Sequence, residues 1–382
     1  MLLCPDPPPV TLVLDPYDDP HHLRAALAGH QPRHGRITVH PTPGTDSATC
    51  LALDVLAALG KPLPTTGTRT GDGERYWAMA TAWIIATPIT HLTVLRTHLL
   101  STPRLRELLL LRSRTGVRLH LVCHRPRPTP ALHKALRDAD HHIVEAAALL
   151  PASDPDSLDD PPHPQVQRPL EGRWINLPAL TTLCSLDGPQ RPCHCTPPLA
   201  TERRYHPPTM QPATTAEVAH RLHTATAHPH LAAAVATAVF TAASDTQLMT
   251  AHPGDLAPNG TTITLHDPDN LRFGCLTHPV PPWAQPLLRA VLHLSTLANT
   301  AGRPVFSDPH QRGHPHLTNL AENCKLRPPQ PPTPRSKTRP RTRPTAPAKP
   351  KWPISNAHYH YPWAFEEITY GCPRPPHPIR RT

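Results

Sequence analysis

Residues 41–48 read Pro-Thr-Pro-Gly-Thr-Asp-Ser-Ala, a turn between an apolar run at 36–39 and a helix-spaced apolar run at 48–59. A loop in that place cradles phosphate when it carries G-x-x-x-x-G-K-[S/T]. The glycines let backbone N–H groups close round the anion, the lysine reaches the terminal phosphates, and the hydroxyl holds Mg²⁺. With Pro43-Gly44-Thr45 at the centre, Pro41 and Asp46 take the places of the two glycines, Ser47 that of the lysine and Ala48 that of the hydroxyl. Gly44, Thr45, Asp46 and Ser47 therefore keep the outline of a nucleotide-binding turn without its chemistry. A carboxylate there repels phosphate and no cation attracts it. No cofactor and no catalytic residue follow from this segment.

Two further groups carry chemistry. Cys184 and the run Cys193-His194-Cys195 bring three thiols and an imidazole close in sequence. Such a set can complete a tetrahedral zinc site, but the C-x₂-C spacing is missing and adjacent Cys-His-Cys ligands strain the chelate. No metal is assigned on that basis. The second group is a basic run. Residues 327–351 hold eight basic side chains and no acidic one, among them Arg335, Lys337, Arg339, Arg341, Arg343, Lys349 and Lys351. Interleaved prolines keep such a chain extended, so its charges can follow a phosphate backbone without sequence preference. Trp352, Tyr359, Tyr361 and Trp363 follow and can stack on bases. These residues make DNA a candidate partner.

The net charge of +10 is largely due to that run, since without its eight charges the rest is close to neutral. A chain of 382 residues can hold two domains with real cores. Its 56 prolines cannot all sit inside regular elements, so much of it must be linker. The 29 histidines accompany excess Pro, Thr, Ala and Arg, residues with cytosine-rich codons, which makes nucleotide bias their simplest origin. Nine scattered cysteines, an odd number, do not form a secreted disulfide framework. The start MLLCPDPPP has no basic flank or long apolar stretch, and the longest apolar run, at 231–243, is too short to span a bilayer. A cytoplasmic protein without a membrane partner is expected.

The positioning elements alternate. Residues 11–14 and 36–39 read as short buried strands, 21–28 and 48–59 as helices, and Gly60 as a C-cap. Helices at 76–87 and 104–114 flank an apolar stretch at 91–100, and 117–123 is a further strand. Alternation of this kind predicts an α/β fold with a parallel sheet. The order resembles P-loop ATPases, in particular the AAA+ ATPases that accompany transposases. That resemblance implies a Walker B strand of the form LVIDEAHLL. Residues 92–100 read LTVLRTHLL, with Leu95 and Arg96 at the two acidic positions. An NTPase-like domain over 1–150 without nucleotide hydrolysis is the expectation.

Residues 151–205 read as a Pro/Asp-rich linker with a short apolar element at 174–183. Residues 206–326 predict a mainly helical domain. One or two buried helices surround His228-Pro229, a turn at 258–260 opens a hairpin over 261–275, and a helix covers 287–298. This stretch resembles the first half of a tyrosine recombinase catalytic domain. The resemblance puts Ser244 where the catalytic arginine belongs, Arg272 near the hairpin lysine, and Tyr370 at the nucleophile's distance without matching surroundings. A recombinase needs arginines round a pentavalent phosphate, so strand cleavage is not expected. Residues 327–382 form a basic Pro-rich tail. The chain thus reads as a non-catalytic, DNA-associated accessory protein of a mobile genetic element, with a recombination protein or another protein as a further partner. The alternatives are an interaction scaffold without a nucleic-acid role and an NTPase with an unorthodox site.

Overall fold

The computed structural model describes residues 6–44, 46–62, 72–149, 173–180, 183, 195–203, 205, 209–267, 274–300, 302–307 and 317–328. The first half alternates strands and helices as their sequences dictate. Strand β1 (Val10–Leu14) is a β-branched run buried almost throughout. Helix α1 (Pro20–Ala28) starts where Asp19 accepts a hydrogen bond from the His21 N–H and proline fills the first turn. Strand β2 (Arg36–Val39) follows Gly35. That glycine has φ 76°, and a Cβ there would lie 2.2 Å from the Pro88 carbonyl oxygen, so only glycine fits. Then come α2 (Ala48–Ala58), α3 (Gly73–Ala86) and β3 (His91–Val94). Helix α4 (Thr102–Thr115) stops at Gly116 in the left-handed region and is followed by β4 (Arg118–Cys123). Helix α5 (Pro130–Leu136), strand β5 (His141–Glu145) and the single turn α6 (Ala146–Leu149) complete this half.

The five strands form a parallel sheet in the order β2-β3-β4-β1-β5. Register aligns Val39, Val94, Leu121, Leu12 and Ile143 in one row, on the face that packs against α2 to α5. The next row, on the opposite face, is Thr38, Thr93, His120, Thr11 and His142. On that face, near the carboxyl ends of the strands, Leu23 and Ala26 of α1 cover Val13, Leu95 and Val122 in a smaller apolar cluster. The chain leaves β1 toward one edge of the sheet and leaves β4 toward the other. Connections therefore reverse direction between β1 and β4, the point at which open α/β sheets form a ligand crevice.

The second half is mainly helical. Helix α7 (Pro212–Ala225) and helix α8 (Pro229–Thr241) are split at the expected His228-Pro229, and every residue of α8 is buried. The short α9 (Asp245–Leu248) carries a capping box between Ser244 and Gln247. Strands β6 (Thr262–Leu265) and β7 (Leu276–Pro279) pair antiparallel, with Leu265 opposite Leu276. The return strand thus begins just beyond the stretch that sequence had suggested. Helices α10 (Gln285–Leu297) and α11 (Leu317–Asn323) follow. The expected boundary at 151–205 does not divide the packing. Helix α10 lies against both α3 and α8, and one apolar core runs from Val10 to Leu326. Trp83 of α3 donates its indole N–H to the Ala227 carbonyl at 2.9 Å. Lys61 donates to the His223 carbonyl and sits 3.2 Å over the Trp83 ring. No helix among the described residues is long and apolar enough to cross a membrane.

Candidate functional site at the carboxyl ends of the central strands

The turn after β2 has the expected strand–turn–helix form but sits on an edge strand. Gly44 adopts φ 76°, as a tight turn requires, and Thr45 lies outside the described residues. Ser47, at the lysine's place, is the N-cap of α2, its hydroxyl accepting from the Cys50 N–H at 3.4 Å. Asp46 accepts from the Ser101 hydroxyl and lies 3.6 Å from Arg104, whose guanidinium is also held by Glu107 at 2.9 Å. Burial raises the Glu107 pKa, opposed by Arg104. Thr42 is tied to Asp54 of α2 through its N–H and its hydroxyl, at 2.8 and 2.7 Å. The arginine beside this turn thus already serves two carboxylates. Leu95, at the first acidic position of the Walker B pattern, is buried in the smaller apolar cluster. Arg96, at the second, adopts φ 52° and reaches Asp18 at 3.4 Å.

Polar groups converge instead at the β1/β4 reversal. Asp15, 1 % exposed, follows directly on β1. One of its oxygens lies 3.3 Å from His22 Nδ1 and the other 3.1 Å from His124 Nδ1, and both are within reach of the Asp19 N–H. Asp18, held at φ 50°, places a carboxylate oxygen 3.0 Å from the same His124 nitrogen. Asp15, Asp18 and His124 each bring one ligand-capable atom within 4.8 Å of the others. The His98 ring meets the His124 ring edge-on at 5.9 Å. His124 Nε2 and His98 Nδ1 are both buried without a hydrogen-bond partner. Burial lowers the His98 pKa, as do His124, Arg125 and Arg96, while Asp18 opposes them.

Chemically the carboxylates here suit a cation better than a phosphate. Three aspartates, Asp15, Asp18 and Asp19, occupy the five-residue turn before α1, where a phosphate loop would present backbone N–H groups and a lysine. Two carboxylates compete for one imidazole N–H, an arrangement that a positive charge between them relieves. A separate cleft of about 350 Å³, lined by Leu12, Pro128, His133, Leu136 and Arg137, lies between α5 and the β5 edge and shares no residue with this cluster.

Other sequence candidates are dispersed. Arg327, counted with the basic run, is 6 % exposed and donates to the Leu183 carbonyl at 2.8 Å, so it belongs to the folded body. Arg335, Lys337, Arg339, Arg341, Arg343, Lys349 and Lys351 lie outside the described residues, as do the aromatics that follow, Arg272 and Tyr370. Ser244 is the N-cap of α9, its hydroxyl accepting from the Gln247 N–H. Cys184, Cys193 and His194 also lie outside the described residues, whereas Cys195 is described beside His266. Sequence reading passed over Asp15, Asp18 and His124. A signal was present in Asp-Pro-Tyr-Asp-Asp directly after a strand, but only strand order gives that turn its place. No protein-family model matches the chain, and no curated protein matches it either.

Proposed function

We propose that this protein is a non-catalytic, DNA-associated accessory factor of a mobile genetic element. In this reading a P-loop-like α/β scaffold has lost nucleotide chemistry, and the basic segment at 335–351 supplies contact with the phosphate backbone. The observation that carries the first half is electrostatic. Both turns open to a nucleotide, after β1 and after β2, present carboxylates, and the adjacent arginines are already engaged: Arg96 by Asp18, Arg104 by Asp46 and Glu107. The strand order also favours a relation to P-loop proteins once the phosphate turn is placed after the central strand β1 rather than after edge strand β2. DNA contact is supported by the seven basic residues between Arg335 and Lys351 and the absence of acidic residues among them.

Two titrations test the proposal. Equilibrium dialysis with Mg²⁺ and labelled ATP should detect no complex, and a stoichiometric complex that turns over would refute the non-catalytic half. In a mobility-shift assay with duplex DNA, affinity should fall steeply with salt, with a log–log slope as steep as about −6 if all seven charges meet phosphates. Removal of residues 329–351 should flatten that slope. Binding indifferent to both salt and the deletion would overturn the DNA assignment. A scaffold role is the second reading, favoured by Tyr17 and Leu99, which are 91 % and 58 % exposed on the two turns that carry Asp18 and Arg96. Protein partners retained after nuclease treatment, with no shift of DNA, would select it.

A further inference from the structure

A second convergence of metal-ligating groups lies at the mouth of the β6–β7 hairpin, far along the chain from the aspartate–histidine cluster. His266 directly follows β6 and Cys275 directly precedes β7. Because Leu265 pairs with Leu276, these two residues face each other one step beyond the ladder. A third segment runs beside β7. The Ala200 N–H donates to the Thr277 carbonyl at 2.8 Å, and the Thr277 N–H donates to the Pro198 carbonyl at 3.0 Å. This short parallel pairing delivers Cys195 to the same corner.

The three ligand atoms lie within 4.8 Å of one another, and Cys195 Sγ is 3.6 Å from His266 Nδ1. A tetrahedral zinc with Zn–S near 2.3 Å and Zn–N near 2.05 Å sets sulfur and nitrogen ligands about 3.6 Å apart. The surrounding hydrogen bonds already orient the set. His266 Nε2 lies 3.4 Å from Asp255 Oδ1, the carboxylate–imidazole pairing that fixes a ligating ring. Asp255 is itself anchored by the His252 N–H at 2.8 Å. The His266 backbone is pinned by its N–H to the Thr250 hydroxyl at 2.9 Å. The Asp267 N–H donates to Cys275 Sγ at 3.3 Å, a contact that stabilises a thiolate.

We propose that Cys195, His266 and Cys275 bind one zinc ion through two thiolates and the Nδ1 lone pair, with water in the fourth position. Each thiol releases its proton to solvent as its sulfur takes the metal. Two soft sulfurs and one imidazole in tetrahedral reach favour zinc over magnesium, calcium or manganese. The ion would tie the 195–200 segment to the hairpin. The weak spacing round Cys193-His194-Cys195 is no obstacle, because two of the three ligands come from some seventy to eighty residues downstream in the fold.

The test is metal analysis of the untagged full chain, expressed with zinc and purified without chelator. One zinc per chain is expected, lost in Cys275→Ser and in His266→Asn and retained in Cys50→Ser. Since the ligand variants could lose their fold, cobalt(II) is also titrated into metal-free wild type. A thiolate-to-cobalt charge-transfer band saturating at one equivalent is expected. Three results would overturn the proposal: zinc-free protein with no cobalt band, zinc retained by both ligand variants, or a Cys195–Cys275 disulfide that leaves the chain unable to take metal.

Discussion

Trp83→Phe probes the junction that makes the two halves one body. Trp83 is 0 % exposed. Its indole N–H reaches the Ala227 carbonyl at 2.9 Å, Lys61 sits over its ring, and its edge meets His223 at 5.2 Å. Phenylalanine keeps part of the ring but removes the donor, leaving a buried carbonyl unpaired at a cost of about 1–3 kcal/mol. The missing part of the indole and a weaker cation–π contact add about 1 kcal/mol. A loss near 3 kcal/mol, with a urea slope of about 2–3 kcal/mol/M, moves the midpoint down by roughly 1–1.5 M. Hydrogen exchange read by mass spectrometry on peptides covering β4 and α8 separates the halves. Because one core runs through both, protection in both should fall by the same amount. A fall confined to one of them, or unfolding in two separate steps, would refute the shared core.

Stability should also drop in acid. Burial, with neighbouring positive charge in two of the three cases, lowers His120 and His278 to about 4 and His223 to about 3, against 6.5 for the ordinary side chain. The unfolded chain therefore takes up protons below pH 6.5 that the folded chain refuses. Stability that is complete above pH 6.5 falls as pH drops toward 4, by up to about 1.4 kcal/mol per unit for each such group before allowance for solvent screening. Urea midpoints at pH 7.5, 6 and 5 measure this, and a flat profile would contradict the burial of these rings. Asp15→Asn keeps the side chain's shape but leaves His22 without a charged acceptor and His124 with Asp18 alone. It should cost about 1–3 kcal/mol in urea unfolding and leave zinc content unchanged, since the hairpin cluster shares no residue with it.

Much of the scaffold was legible in sequence because its causes are short-ranged. Short apolar and β-branched runs gave β1 to β4 and β6 but not β5, and placed the return strand β7 a few residues early. Helix-spaced apolar residues gave α2, α3, α4 and α10, and His228-Pro229 marked the break between α7 and α8. The same local chemistry located the turn at Gly44 and showed that it carries no cation. Strand order was not legible, because it depends on which apolar faces meet once the chain has closed on itself. It alone puts β1 at the reversal of the sheet and turns Asp15 and Asp18 from residues of an ordinary loop into a candidate site. It also fell to tertiary packing to draw Arg327 from the basic run into the core and to bring α10 against α3. The cysteine cluster shows the division most clearly. Sequence proximity grouped Cys184, Cys193, His194 and Cys195 without assigning them a metal, and folding brings Cys195 beside two residues of a distant hairpin. Ligand geometry is set by distances in space, and a one-dimensional pattern holds such distances only within a turn or two of helix or strand.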